Sequence, residues 1–181
     1  MSRGPDAEEF PERGPDWQAA GYYPGSDDAA HPGPASVELA DPIRSAIVAH
    51  AVAGLPNEAC GLVIGDRPAG EGGRALRWVP LANPAASPYR YEIEPDDLLR
   101  ITIELDSTDE VIWAIVHSHV ASPARPSPTD VRQSFYPEAL YFIVSLRPEE
   151  ADPVTGAESV RAWRIVDGAV HEVGVAPASR D

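Results

Sequence analysis

The sequence contains no lysine, and it has a single cysteine, Cys60, among its 181 residues. One cysteine excludes an intramolecular disulfide framework and any zinc site built from several cysteines. All 14 basic residues are arginine, and 29 acidic residues bring the formal net charge to −15. Because nucleic acids and anionic membrane surfaces attract basic proteins, this acidic excess argues against both as partners.

Long apolar runs are also missing. No stretch approaches the roughly 18 apolar residues of a membrane-spanning helix. The first residues, Met1–Asp6, have neither the basic start nor the apolar run of a signal peptide. These absences predict a cytoplasmic protein, and a hydrophobic content of 43% is sufficient for the core of one domain.

Composition divides the chain into two tails and one domain. Residues 1–40 are rich in proline, glycine, alanine and acid without sustained periodicity, so we expect a disordered tail there. A single domain is predicted over 41–176, followed by a short C-terminal tail at 177–181.

Hydrophobic periodicity predicts the elements of that domain. A first helix is expected from Asp41, with Asp41 as its N-cap, to about Gly54. Further helices are predicted at Asp96–Leu105 and from about Pro128. Extended segments are predicted at 58–65, 75–81, 89–93, 111–116, 139–146, 160–166 and 169–175, the last two joined by a tight turn. This order indicates an α/β (α+β) domain with a mixed sheet flanked by helices.

Candidate metal ligands follow the strongest predicted strand, Val111–Val116. That strand leads directly into His117-Ser118-His119, and residues i and i+2 of an extended segment point to the same side. A catalytic zinc site takes three protein ligands and keeps a position for water. Asp130, in the first turn of the helix expected from Pro128, is the candidate third ligand. Iron(II) uses the same ligand types, so they leave the metal open.

Such a site also needs a carboxylate that takes a proton from water and returns it to the leaving group. Glu58 is the best-placed acid, because it enters the apolar strand Ala59–Ile64. A glutamate in that position is costly unless it is paired or functional.

Other interpretations of these residues remain open. Ser127-Pro128-Thr129-Asp130 is also a helix-capping pattern, which is compatible with metal binding. Cys60 is a conceivable nucleophile, although a free cysteine in an apolar strand usually packs as a small hydrophobe. Arg125 lies between the ligands and suits either a substrate carboxylate or solvent. A zinc-deaminase site is excluded, because its Pro-Cys-x-x-Cys half requires a second cysteine.

Taken together, these residues resemble the JAMM (MPN+) family of zinc metallopeptidases. His117-Ser118-His119, seven further residues and Ser127-Pro128-Thr129-Asp130 match the family pattern H-[ST]-H-x7-S-x-x-D without a gap. The similarity extends from Pro56 to Leu146. It implies an MPN-type, cytidine-deaminase-like fold with a mixed, mainly antiparallel sheet.

The resemblance also implies the roles of individual residues. One zinc ion per chain would be held by His117, His119 and Asp130. Glu58 would be the catalytic acid/base, and Ser127 would help to stabilise the tetrahedral oxyanion.

Members of this family cleave amide or isopeptide bonds, often beside the C-terminal tail of ubiquitin-like proteins. Glu58-Ala59-Cys60-Gly61 and the loop 122–130 resemble a small bacterial group that releases cysteine from the C-terminus of a sulfur-carrier protein. We therefore expect zinc-dependent hydrolysis in cysteine biosynthesis, with that carrier as partner and a homodimer as one option for assembly. Two alternatives stay open: a peptidase that processes or deconjugates another ubiquitin-like protein, and a non-catalytic MPN scaffold.

Overall fold

The computed structural model describes residues 33–151 and 158–178. Its strands are β1 (Ser36–Leu39), β2 (Cys60–Gly65), β3 (Ala75–Leu81), β4 (Val111–His119), β5 (Leu140–Ser145), β6 (Ser159–Val166) and β7 (Ala169–Pro177). Its α-helices are α1 (Asp41–Ala53), α2 (Pro95–Asp106) and α3 (Pro128–Arg132), with short 3-10 turns at Ala69–Glu71 and Pro148–Glu150. No helix in these two ranges has the length and apolar character needed to cross a membrane.

The seven strands form a mixed sheet in the order β1-β7-β6-β5-β4-β2-β3. Four strand pairs are antiparallel and two, β4–β5 and β1–β7, are parallel. The prediction of an α/β domain with a mixed, mainly antiparallel sheet is therefore confirmed. The predicted tight turn between β6 and β7 is present at Asp167-Gly168, where both residues have positive φ, as two-residue hairpin turns require.

Helices cover both faces of the sheet. α1 packs on one face through Ile47, in the core cluster that contains Val116. α2 packs on the other face through Ile101, in the cluster that contains Ile115. Because successive strand residues alternate between faces, His117 belongs to the α2 face. Each fully buried aliphatic side chain of these clusters contributes roughly 1.5–3 kcal/mol to folding.

The sheet brings one correction to the predicted tail. Strand β1 lies inside the segment 1–40, pairs in parallel with β7 and buries Val37 and Leu39, so the prediction of disorder is wrong for 36–39. A four-residue strand is too short to produce a clear alternating pattern. β7 also extends to Pro177, one residue past the predicted end of the domain. Residues 1–32 of the predicted tail lie outside the described residues, as do residues 179–181.

Two smaller expectations also differ from the structure. α1 begins at Asp41, but Ala40 is its N-cap residue and no side chain caps the helix. Asp41 lies instead in the first turn, where its negative charge interacts favourably with the helix dipole. The segment 89–93, predicted to be extended, forms no strand in the described part of the chain.

Candidate metal centre

The carboxyl-terminal end of β4 carries two buried histidines on the α2 face. His117 and His119 are 1% and 4% exposed, and their Nε2 atoms lie 3.1 Å apart. Asp130, in the first turn of α3, places one carboxylate oxygen 3.4 Å from His117 Nε2 and the other 3.5 Å from His119 Nε2. The structure thus brings the three predicted ligands together, with ligand atoms within 4.8 Å of one another.

These separations fit a small tetrahedral cation. Metal–ligand distances of about 2.0–2.2 Å place two ligand atoms of a tetrahedral zinc ion roughly 3.3 Å apart. His119 Nδ1 lies 2.7 Å from the carbonyl oxygen of Pro123. Because a carbonyl only accepts, Nδ1 carries the proton of the neutral ring, and the Nε2 lone pair faces the other two residues. The three side chains are therefore able to hold a metal ion.

Electrostatics at this cluster link metal binding to protons. Burial lowers the pKa of His117, which favours the neutral ring that a metal requires. Burial acts in the same direction on His119, but the Asp130 carboxylate and the Pro123 carbonyl outweigh it and raise that pKa. Burial acts to raise the pKa of Asp130, yet hydrogen bonds from the two histidines, in the forms that carry a proton on Nε2, hold it well below its usual value. A metal ion therefore competes with protons for this site.

The orientation of His117 depends on an aromatic residue. The ring of Tyr91 stacks on the imidazole at a centroid distance of 4.4 Å and an interplanar angle of 18°. Within the described ranges, His117 Nδ1 is a buried nitrogen without a hydrogen-bond partner. Stacking on Tyr91, rather than a hydrogen bond at Nδ1, therefore supports the orientation of this ring. Sequence reasoning did not identify Tyr91, whose position is set by the loop fold rather than by a local pattern.

Glu58 lies two residues before β2 and close to His119. The backbone N–H of Ala59 donates to Ser118 Oγ, and the N–H of Ser118 donates to the Ala59 carbonyl, both at 2.9 Å. Continuing this register by one residue puts Glu58 opposite His119 on the same face. Ser118 thus joins the segment of Glu58 to the strand of the histidines.

The carboxyl group of Glu58 is 5% exposed. Burial raises its pKa to about 7, with a smaller lowering by His119 and a further raising by Asp130. A group that titrates near neutral pH is suited to both accepting and donating a proton.

Ser127 forms a reciprocal cap with Asp130 at the start of α3. Its Oγ accepts from the Asp130 N–H at 3.2 Å, and its own N–H donates to the Asp130 carboxylate at 2.6 Å. The capping interpretation is confirmed, and the cap aims the Asp130 carboxylate at the histidines. Since Ser127 Oγ uses a lone pair here, its hydroxyl hydrogen remains available to donate.

Two loops border the site. In the proline loop (residues 120–127), three successive carbonyls accept hydrogen bonds from side chains outside it: Ser122 from Ser145 Oγ at 2.8 Å, Pro123 from His119 Nδ1 at 2.7 Å and Ala124 from Trp163 Nε1 at 3.0 Å. In the asparagine loop (residues 82–92), Asn83 donates to the carbonyls of Glu58 and Arg90 and accepts from the N–H groups of Ala85 and Glu92. Sequence reasoning missed Asn83 and Trp163, although asparagine in a loop is a common signal of such local bonds.

Cys60 and the three remaining histidines lie outside the proposed ligand set. Cys60 is 1% exposed, and burial raises the pKa of its thiol to about 12, which favours the packing interpretation over a nucleophile. His50 is half-buried in α1 with Nε2 3.2 Å from the Cys60 carbonyl oxygen. His171 is exposed in β7, and His31 lies outside the described residues.

Two buried imidazoles and one carboxylate form a set that is able to hold a metal ion. A second carboxyl group, whose pKa burial raises to about 7, lies beside them. The family model for prokaryotic homologues of the JAB domain matches residues 40–166. The chain belongs to this family.

Three further comparisons agree with this assignment. The CysO-cysteine peptidase of Mycobacterium tuberculosis is 41% identical over 128 residues, which cover 71% of this chain and 82% of the relative. The desampylase of Haloferax volcanii is 32% identical over 114 residues, covering 60% and 80%. The solution structure of a Desulfitobacterium hafniense protein superposes with a TM-score of 0.66 at 30% identity, covering 80% of this chain and 94% of that one. The chain is a hydrolase of the peptidase type.

Proposed function

We propose that this protein is a zinc-dependent peptidase that hydrolyses the amide bond between the C-terminus of a ubiquitin-like sulfur-carrier protein and a terminal cysteine. The observation that carries the proposal is the convergence of His117, His119 and Asp130 beside Glu58 in a chain 41% identical to a CysO-cysteine peptidase. A complete set of ligands also argues against a non-catalytic scaffold.

We assign the metal as zinc, held by His117, His119 and Asp130. Neutral imidazoles and one carboxylate are common zinc ligands, and the spacing of their atoms suits a tetrahedral ion. When bound, zinc supplies a Lewis acid and lowers the pKa of water toward neutrality. The Pro123 carbonyl contributes by keeping the proton of His119 on Nδ1.

In the proposed reaction, Glu58 carries the proton. Its carboxylate takes a proton from the attacking water as the water oxygen bonds to the scissile carbonyl carbon. Glu58 then gives that proton to the amide nitrogen as the carbon–nitrogen bond breaks. One water is consumed, and the products are the carrier with a free C-terminal carboxylate and free cysteine. A pKa raised to about 7 by burial suits both halves of this exchange.

Ser127 is proposed to stabilise the oxyanion that forms on the scissile carbonyl. Its Oγ already accepts the Asp130 N–H, so its hydrogen is free to donate to a developing negative charge. The cap fixes this hydroxyl and the Asp130 carboxylate in one rigid turn.

The proposal is tested by mass-spectrometric hydrolysis of a CysO–cysteine adduct with purified protein of measured zinc content. We expect loss of one cysteine residue from the adduct, abolished by a zinc chelator and restored by added zinc. Intact adduct after incubation with zinc-loaded protein would contradict the assigned substrate.

The 32% identity to desampylase favours a second candidate, hydrolysis of an isopeptide bond that joins a ubiquitin-like protein to a lysine side chain. A lysine-linked conjugate in the same assay compares the two. The role in cysteine biosynthesis and the cytoplasmic location belong to the first proposal, and the homodimer stays a prediction.

A further inference from the structure

Arg125 lies on the proline loop, between the ligands His119 and Asp130. It directly follows the three residues whose carbonyls accept side-chain hydrogen bonds, and it precedes the cap residue Ser127 by two positions. Since two residues of extended chain span at most roughly 7 Å, its backbone is close to the proposed oxyanion donor. The loop is therefore held in place on both sides of Arg125.

The side chain of Arg125 is exposed, and its guanidinium carbon lies 6.0 Å from the ring centroid of Trp163. Trp163 is itself 4% exposed and bonded to the neighbouring Ala124 carbonyl, so it is a fixed platform for this cation. A cation held against a ring face keeps its in-plane N–H donors available for another partner.

Most arginines in the described ranges pair with a carboxylate, as expected in a chain of net charge −15: Arg67, Arg74, Arg77, Arg90, Arg100, Arg147 and Arg161. Within residues 33–151 and 158–178, Arg125 has no carboxylate partner. The contrast with Arg161 is informative, because Arg161 contacts the same Trp163 ring at 5.1 Å but is bound twice by Glu172, each time at 2.7 Å.

A substrate that ends in cysteine carries a free carboxylate one residue beyond the bond that breaks, and neighbouring Cα atoms are only about 3.8 Å apart. An isopeptide conjugate on a lysine side chain has no carboxylate at that position. A guanidinium on the loop that joins the proposed ligands is able to distinguish these two substrate classes, because its planar fork can bind a carboxylate with two parallel hydrogen bonds.

We propose that Arg125 is a specificity-determining residue that binds the α-carboxylate of the terminal cysteine. The enzyme is thereby restricted to substrates that end one residue after the scissile bond. This inference rests on the proposed function and adds the chemical feature by which the leaving group is recognised.

The test compares kcat/KM for the CysO–cysteine adduct and for the same adduct with its terminal carboxylate converted to a carboxamide. The wild-type protein should prefer the carboxylate by roughly 10- to 100-fold, the discrimination that a charge-assisted bidentate pair supports. Arg125→Ala should reduce this preference to about one, through a higher KM for the carboxylate form. Arg125→Lys should keep part of the preference, since the charge remains without the fork.

Arg161→Ala is the matched control. It removes the other guanidinium from the Trp163 ring, but one already neutralised by Glu172, so the preference for the carboxylate should persist. Because the result is a ratio between two substrates, a loss of folded or metal-loaded enzyme affects both rates equally and cancels.

Two outcomes overturn the role of Arg125 while the proposed function stands. One is an Arg125→Ala protein with the wild-type preference, and the other is a wild-type protein that cleaves both adducts equally well. A zinc-loaded wild-type protein that cleaves neither adduct contradicts the proposed function itself, and the inference falls with it.

Discussion

The proline loop and the asparagine loop border the same site but are held in opposite ways. The proline loop is held from outside, by side chains of β4, β5 and β6 that donate to its carbonyls. The asparagine loop is held from inside, by the side chain of Asn83, which makes four hydrogen bonds to backbone groups.

Local chemistry explains the difference. Proline presets φ and lacks an N–H group, so a proline-rich loop has few donors of its own but loses little entropy when ordered. The asparagine loop contains Ala86 at φ 42°, a left-handed conformation that costs free energy for any residue except glycine. Asn83 stabilises that shape by satisfying the backbone around it.

The two loops therefore support different parts of the site. The proline loop contacts a proposed metal ligand, His119, and continues into the cap that aims Asp130. The asparagine loop bonds to both backbone groups of Glu58, through Asn83 and the Ser87 carbonyl, and it carries Tyr91. Loss of the side chains that hold the proline-loop carbonyls should therefore affect mainly metal binding, and loss of the Asn83 bond to Glu58 should affect mainly turnover.

The largest expected effect separates the proposed acid/base, Glu58, from the proposed metal ligands. Glu58→Gln should lower kcat by roughly 10²- to 10⁴-fold, the usual contribution of a general acid/base, and should leave zinc content unchanged. Asp130→Ala should lose the metal as well as turnover, because it removes a proposed ligand and the carboxylate half of the capping box of α3. Zinc analysis beside the hydrolysis assay checks both, and retained turnover in Glu58→Gln would remove Glu58 from the mechanism.

An intermediate effect is expected in the asparagine loop. Asn83→Ala should lower kcat by about 10- to 100-fold and the free energy of unfolding by about 1–3 kcal/mol, because four backbone groups lose their partner. Zinc content should not change.

Asn83→Asp is the control for this loop. Aspartate still accepts from Ala85 and Glu92 but puts a carboxylate oxygen against the carbonyl oxygens of Glu58 and Arg90. It changes the donor side alone, and both stability and kcat should fall below the wild-type values. Denaturant unfolding and steady-state kinetics measure the two effects separately. A wild-type kcat in Asn83→Ala would end the distinction between the loops.

The smallest expected effect lies in the proline loop. Trp163→Phe removes the N–H that the Ala124 carbonyl accepts and keeps a ring beneath Arg125, so it should cost about 1 kcal/mol. We expect a melting temperature lower by a few degrees and zinc affinity weaker by a few-fold, with kcat of the loaded enzyme nearly unchanged. Thermal denaturation and chelator competition measure these quantities. A lower kcat at full zinc occupancy would instead show that this loop also supports turnover.

Much of the fold could be predicted from the sequence, because its central elements have strong local patterns. β2, β3 and α2 occur where apolar runs and periodicity place them, and β4 leads into the histidines as expected. β1 was missed because its four residues bury only two side chains, and its place in the sheet depends on β7, far along the chain.

The clustering of the three proposed ligands could also be predicted, because they lie within a single strand–loop–helix segment whose spacing is visible. Tyr91, Asn83 and Trp163 could not, because they reach the site from distant parts of the chain and their roles depend on tertiary packing. The environment of Glu58 could be predicted from the sequence only in part. Its entry into an apolar strand is visible in the sequence, but the coupling to His119 arises from strand register.

The parallel pairing of β4 with β5 determines where this chain can change in length. Parallel neighbours need a crossover of a dozen or more residues, and the crossover here, 120–139, also contains Ser127 and Asp130. A deletion in it would separate two central strands and remove a ligand in the same event. The β2–β3 turn is exposed around Gly70–Gly72 and joins two strands without carrying a proposed site residue. Tags, grafted epitopes and natural insertions therefore belong in that hairpin, while the crossover must keep its length.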